Sequence, residues 1–325
     1  MISRKTHTKR RHTRHSAFSL IEIMVVLVIV SILMALLLPA LGRVRTTAQI
    51  ALANAEMDSL KASITNFKRE YGIEPPSGLT LFPPGGTGAL GNWTDARSVS
   101  LIRQMWPKFD FQQSGGLSAA AFGTATSLTL EGSECLVFFL GGTRDAASGA
   151  LIGFSQNERL PFQGSGSRVN PFFEFDGGYD SGTSSWTGLL TDTVGNNGIP
   201  EYLGVLPSAT KPYAYFSSYG GKGYRLAEND SIDGTVTATV ANPELARPLP
   251  YFKDSNTKVP YNRDSFQLIS PGFDYRFGVG GYFDRDDAQI QATLITRNKI
   301  NDPSSIDGLH EHDNITNFNG GQLLQ

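Results

Sequence analysis

Cysteine is almost missing from this 325-residue chain: Cys135 stands alone, which excludes an intramolecular disulfide framework. Histidine is nearly as scarce, with His7, His12 and His15 near the start, His310 and His312 near the end, and none between. A Ser–His or Cys–His nucleophile pair therefore has little material. No Gly-x-Ser-x-Gly elbow occurs, and Cys135 lies in an apolar stretch where a buried thiol is the default. His310-Glu311-His312 lacks the i, i+4 spacing of a zinc-protease helix and reads as a solvated tail. Gly220-Gly221-Lys222-Gly223 has no Ser or Thr after the lysine and reads as a turn, not a phosphate loop. We expect no catalytic site. With 18% charged and 40% apolar residues, wholesale disorder and a multi-span membrane protein are both excluded.

What is present is unevenly distributed. Met1 to Ala17 carries six Lys or Arg, three His and no acid, whereas beyond it 30 acids face 22 bases. Then comes FSLIEIMVVLVIVSILMALLLPAL, Phe18 to Leu41, interrupted only by Ser19, Glu22, Ser31 and Pro39. At ~1.5 Å per residue this run can cross a hydrocarbon layer of about 30 Å. The cationic flank holds the N-terminal end in the cytoplasm, so the chain reads as a single-pass inner-membrane protein with a periplasmic body after Leu41. A basic arm can also bind nucleic acid, but one that abuts an anchor is better explained by inside-positive topology, and no nucleic-acid partner is expected. A secretory signal peptide would have a shorter apolar core and a small-x-small cleavage site, which is not found before Gly42-Arg43. None of these readings explains Glu22. At a membrane helix centre a carboxylate costs about 2.5–3.5 kcal/mol, less near an interface, so it needs a partner.

The segment SAFSLIEIMVVLVIVSILMALLLPALG, Ser16 to Gly42, resembles the prepilin-type cleavage and methylation segment of type IV pilins and type II secretion pseudopilins. A basic leader, a small residue, Phe-Ser-Leu-Ile-Glu and a proline seventeen residues after the glutamate all stand in order, with Pro39 in that last place. The resemblance implies that a prepilin peptidase cuts between Ala17 and Phe18 and that the new Phe18 amine is methylated. Ala17 stands where Gly is commonest. It also implies that Glu22 pairs with the Phe18 ammonium of a neighbouring subunit as an assembly determinant, that other pilin or pseudopilin subunits and an inner-membrane assembly platform are partners, and that a separate motor ATPase drives the filament outward. Desolvation offsets much of the attraction in such a pair, so it fixes register more than it adds stability.

Beyond Leu41 the pattern turns amphipathic: Val44, Ala48, Leu52, Ala55, Leu60, Ile64, Phe67 and Tyr71 recur mostly at steps of three and four. One helix from Phe18 to Glu70 is expected, ending before Gly72, with a kink or locally melted turn at Pro39 and Gly42. Glu74 to Gly91 reads as a loop, Ser98 to Phe109 as a short helix, and Gly164 to Gly198 as surface loops. Ser127 to Gly142 holds a buried segment that periodicity leaves open between strand and helix. Strands are expected within Lys211–Gly221, Gly234–Ala241 and Ser265–Gly272. The fold class is α+β: a long N-terminal helix against a small antiparallel sheet with long loops.

The boundaries follow as a leader over 1–17, a transmembrane segment over 18–41, its amphipathic continuation over 42–72, a loop-rich inserted region over 73–210 and a β-sheet region over 211–325. KPYAYF and SFQLISPGFDYRFGVGG resemble, more weakly, the Asn-Pro-Tyr-x-Tyr segment and the Ser-x-Gly-x-Asp-Gly loop of major pseudopilins, and HDNITNF their following Asp segment. In that family the loop binds calcium, which carries over to Asp274 and Asp313, although Tyr275 replaces the usual Gly. Asp284, Asp286, Asp287 and Glu311 are alternative oxygen donors, but DRDDAQ does not complete an EF-hand. The functional expectation is a filament subunit. The alternative is a singly anchored periplasmic binding protein that recognises carbohydrate or another ligand through Gly164–Gly198.

Overall fold

The computed structural model describes residues 19–193, 197–225, 248–253, 259–277, 282–284, 289–291, 314–319 and 321–323. Helix α1 spans Leu20–Tyr71. It ends because Gly72 turns to φ +77°, where a side chain would be strained, and its N–H closes on the Lys68 carbonyl at 2.8 Å. The backbone stays helical through Pro39 and Gly42, so the locally melted turn allowed for there does not form. Thr46 and Thr47 turn their hydroxyls onto the Gly42 and Arg43 carbonyls at 3.2 and 3.0 Å. The chain divides into two compact units, one ending at Ala48 and one from Gln49 onward, and α1 supplies residues to both.

In the first unit the large apolar side chains from Leu20 to Leu38 are 40–77% exposed. No described part of the chain covers them. This is the one described helix long and apolar enough to cross a membrane. Ser31, polar in the middle of it, donates its hydroxyl to the Val28 carbonyl at 2.8 Å and so leaves no unsatisfied donor in an apolar setting.

In the second unit Ala53, Met57, Leu60, Ile64 and Phe67 form the buried stripe of α1, at alternating steps of four and three. The expected stripe was partly out of phase. Leu52 is 61% exposed and Ala55 is exposed, because the helical line through Met57 and Leu60 passes Ala53, and a residue one position off points about 100° away.

The region after α1 is more regular than its composition suggests. Strand β1, Leu79–Leu81, lies within the expected loop and pairs antiparallel with β2, Leu128–Leu130, its Leu-Thr-Leu alternation burying both leucines. Helix α2 is Ala96–Met105, starting earlier than expected because Asp95 caps it, accepting from the N–H groups of Arg97 and Ser98 at 3.4 and 2.9 Å. The segment left open is a helix: α3, Gly132–Gly141, is buried at all ten positions. Glu131 and Glu134 form a reciprocal capping box at its start. Within the expected surface loops, β3 (Tyr179–Asp180) pairs with β4 (Ser185–Trp186), and β5 (Leu190–Thr191) pairs with β6 (Glu201–Tyr202) just beyond them.

The main sheet is antiparallel throughout, in the order β12 (Gly321–Gln322), β11 (Ile315–Thr316), β8 (Phe266–Ser270), β7 (Ala214–Ser217). Ala214 of β7 stands opposite Ile269 of β8. A separate pair joins β9, Tyr282–Asp284, to β10, Gln289–Gln291. Two of the three expected strands are thus present, and Gly234–Ala241 lies outside the described residues. The sheet meets α1 partly through α3: β7 packs on α3, which sets Phe139 edge-on to Phe67 of α1 with centroids 5.7 Å apart.

Tyrosine hydroxyls complete the attachment. Tyr213 donates to Glu56 on α1 at 2.7 Å, Tyr202 donates to the other oxygen of the same carboxylate, and the Val205 N–H adds a third bond at 3.1 Å. Tyr215 donates to the Pro75 carbonyl at 2.7 Å. The Pro-Tyr-x-Tyr segment Pro212–Tyr215 therefore pins β7 both to the helix and to the strand of chain that leaves it. Burial, then the nearby Glu56 carboxylate, pushes the Tyr213 hydroxyl far above its ordinary value and keeps it a donor.

Glu134 is 1% exposed, accepts the Glu131 N–H and the Asn197 side-chain amide at 2.7 Å each, and has Glu201 and Glu131 as like-charged neighbours. Desolvation, reinforced by Glu201, pushes its carboxyl up to about 9. The folded chain thus holds a proton at Glu134 that the unfolded chain releases near the usual carboxylate range. Its contribution to stability is full in acid and is lost progressively as pH rises from that range to about 9. From the usual carboxylate range up to about pH 9 the unfolding free energy should fall with rising pH, because the folded chain holds a proton at this group that the unfolded chain has lost. Denaturant melts of Glu134→Gln should show that slope flattened; an unchanged slope would contradict the assignment.

Candidate functional site at the N-terminal segment

Ser19 opens α1 with its carbonyl, which accepts from the N–H groups of Glu22 and Ile23 at 3.1 and 3.2 Å. Glu22 reaches back, its Oε2 accepting the Ser19 N–H at 3.4 Å. This is the glutamate half of a capping box, and Ser19-Leu20-Ile21-Glu22 carries its Ser-x-x-Glu pattern. Sequence inspection passed over that pattern because the lone acid invited a long-range explanation. The helix start favours an anion there, since unpaired N–H groups and the helix dipole both present positive charge.

One long hydrogen bond does not balance a carboxylate in an apolar setting. The Ser19 N–H belongs to the peptide that joins Ser19 to Phe18, so the Phe18 nitrogen is one residue from the group Glu22 already reaches. As part of an intact peptide that nitrogen is neutral. As a chain terminus it carries a positive charge at neutral pH. Cleavage before Phe18 would therefore put a cation at the start of this helix.

The other expected site residues are placed as follows. Ala17 and Phe18 lie outside the described residues, and Pro39 and Gly42 lie within the continuous α1. Asp274 is exposed in the turn after β8, its Oδ1 accepting the Arg276 N–H at 2.9 Å. Next to it Tyr275 has φ +60°, so the turn keeps the left-handed conformation that glycine favours even though a tyrosine occupies it. The Tyr275 hydroxyl donates to the Pro207 carbonyl, which helps hold that turn. Asp313, Asp286, Asp287 and Glu311 lie outside the described residues, and Asp284 ends β9. Among the described residues no three His, Cys, Asp or Glu side chains gather as a metal site. The Glu56 anchor also escaped sequence inspection. Its tyrosine partners stand 146 and 157 residues away along the chain.

Comparison with known proteins agrees with this geometry at the N-terminal segment. Residues 12–38 match the family described as the prokaryotic N-terminal methylation motif, the prepilin-type signal of type IV pilins and pseudopilins. The matched stretch takes in Ala17, Phe18 and Glu22 and ends one residue before Pro39. No curated protein and no solved structure matches the chain.

Proposed function

We propose that this chain, which carries a prepilin-type signal, is a structural pseudopilin-like subunit of a type II secretion or type IV pilus filament. A prepilin peptidase cuts between Ala17 and Phe18, and the Phe18 amine is methylated. The subunit waits in the inner membrane as a single-pass protein, N-terminus cytoplasmic and body periplasmic, until an assembly platform draws it into the filament with other pilin-like subunits. The observation that carries this reading is the matched signal coinciding with an exposed apolar helix whose first turn holds a carboxylate with no counter-charge among the described residues.

The energetics of leaving the membrane support it. In lipid, the apolar side chains of Leu20–Leu38 need no cover. Outside lipid each large one left in water forgoes about 1.5–3 kcal/mol of burial, so the helix leaves the bilayer only into a core made by other such helices. Apolar contact alone does not set the stagger between neighbouring helices. Glu22 paired with a neighbour's Phe18 ammonium does, because a slipped neighbour leaves both charges unpaired in an apolar core.

Two substitutions separate the cap from the charge. Glu22→Ala should still insert and be cut, yet be absent from sheared filaments. Glu22→Gln keeps an acceptor for the Ser19 N–H and loses the charge, and should be excluded as well. Normal incorporation of the Gln variant would reduce Glu22 to a helix cap.

The proposal extends to calcium at the Asp274 turn, supported by the glycine-like conformation kept at Tyr275, with Asp313 supplying a second carboxylate. Millimolar calcium should raise the melting temperature of the full chain, and chelator should reverse the rise. An unchanged melt in Asp274→Asn and wild type alike would end the calcium reading.

A further inference from the structure

A cavity of about 400 Å³ is bounded by α3 and by the β3–β4 hairpin, wholly within the second unit. Its volume is that of a small-molecule site, about 300–1000 Å³. Phe122, Leu128, Val137, Phe138 and Phe162, all buried, give it an apolar lining. They come from the helical turn Ala119–Phe122, from β2, from α3 and from the chain that follows. Tyr179 of β3 and Trp186 of β4, half-buried cross-strand partners, add two aromatic rings.

Among the described residues Arg144 is the one charged member of the lining. It is exposed, and its guanidinium lies over the Tyr179 ring, 3.9 Å from the centre, while the Tyr179 and Trp186 rings meet edge to face with centroids 5.4 Å apart. Guanidinium, phenol and indole thus form a ladder on the hairpin. No described carboxylate pairs with Arg144. Asp145 and Asp180, next in sequence to Arg144 and Tyr179, are engaged elsewhere: Asp145 accepts the Ser148 N–H and hydroxyl at 2.8 and 2.7 Å, and Asp180 accepts the Gly182 N–H and the Thr183 hydroxyl at 2.8 and 2.9 Å. The lining resumes at Asn197, and residues 194–196, Val-Gly-Asn, bring no charge to it. Thr143 and Asn197 already hold partners, Thr143 donating to the Gly153 carbonyl and Asn197 to Glu134. Trp186 Nε1 does not: it is buried and donates to nothing, which is costly for an N–H out of reach of water.

Both unmet groups are donors, one of them a cation, and they border an apolar chamber. They ask for a ligand with acceptors and one negative charge at one end and a hydrocarbon body at the other. A sugar would strand its hydroxyl donors against phenylalanine and leucine, and an inorganic anion would leave that lining uncovered. We propose that the cavity binds a small apolar monocarboxylate, aryl or alkyl. Its body lies against Phe122, Val137 and Phe138, and its carboxylate meets the edge of the Arg144 guanidinium, which stacking on Tyr179 leaves free for a two-pronged pair. The Trp186 indole turns toward the same carboxylate to donate its N–H. This site lies apart from the N-terminal segment and does not depend on the filament reading.

The test is calorimetric titration of the full chain in detergent micelles at neutral pH, with the heat from protein-free micelles subtracted. The probes are 3-phenylpropionate and hexanoate, their neutral amides, and acetate as a carboxylate without a body. At least one of the two acids should bind, with its amide and acetate at least tenfold weaker. Binding of 3-phenylpropionate alone identifies an aryl ligand, and of hexanoate alone an alkyl one. Arg144→Gln changes an exposed side chain, so it should keep the wild-type melt while losing at least tenfold in affinity. The proposal is overturned if neither acid binds at millimolar concentration, if the amide or acetate binds as tightly as the acid, or if Arg144→Gln binds as wild type does. The comparison of acid with amide is made on the wild-type chain, so it decides the matter even where the variant does not fold.

Discussion

A carboxylate in the first turn of an otherwise apolar helix is the constraint to which the rest of this protein answers. Glu22 gains the Ser19 N–H and the favourable end of the helix dipole. Neither removes its charge. The large apolar side chains on either side of it, from Leu20 to Leu38, have no cover among the described residues. Lipid satisfies the apolar side chains and leaves the anion in need of a cation. Other helices of the same kind can satisfy both, provided each brings a positive charge to the right height. A peptide nitrogen turned into an amine by cleavage is such a charge, placed by chain connectivity one residue from where Glu22 already reaches.

The body is attached to the same helix by a different device. From Ala53 to Phe67 the helix offers an apolar stripe, and Glu56 offers two acceptor oxygens beside it. Tyr202, on β6, and Tyr213, the residue before β7, share that one carboxylate, and α3 brings Phe139 against Phe67. Anions on α1 thus serve opposite ends of the design. Among the described residues Glu56 accepts from three donors of its own chain, whereas Glu22 accepts a single long bond. That contrast is why Glu22 reads as a group that completes itself with a partner, and Glu56 as a group that holds a fold.

Much of the N-terminal segment was legible because a lone acid in an apolar run has few competing explanations. The Ser19-x-x-Glu22 box was equally visible and was eclipsed by it. Phase along the amphipathic half was harder to read: Leu52 is the more apolar residue, yet the line set by Met57, Leu60, Ile64 and Phe67 buries Ala53. Helix α3 hid for the opposite reason. All ten of its positions are buried, so no polar face marks a period, and only Glu131 and Glu134, three apart at its start, signal a helix. Glu56 and the cavity beside Arg144 were out of reach, since their partners are assembled from segments more than a hundred residues apart. The turn at Tyr275 shows the limit of pattern matching by residue type, because a non-glycine residue adopts the glycine conformation there.

The central claim is that the cation for Glu22 comes into being at Phe18. Mass spectrometry of the chain purified from native membranes tests it most directly. The expected result is a polypeptide that begins at Phe18 and carries one added methyl group on its amine. A chain that still begins at Met1, or one that begins beyond Gly42, would contradict it.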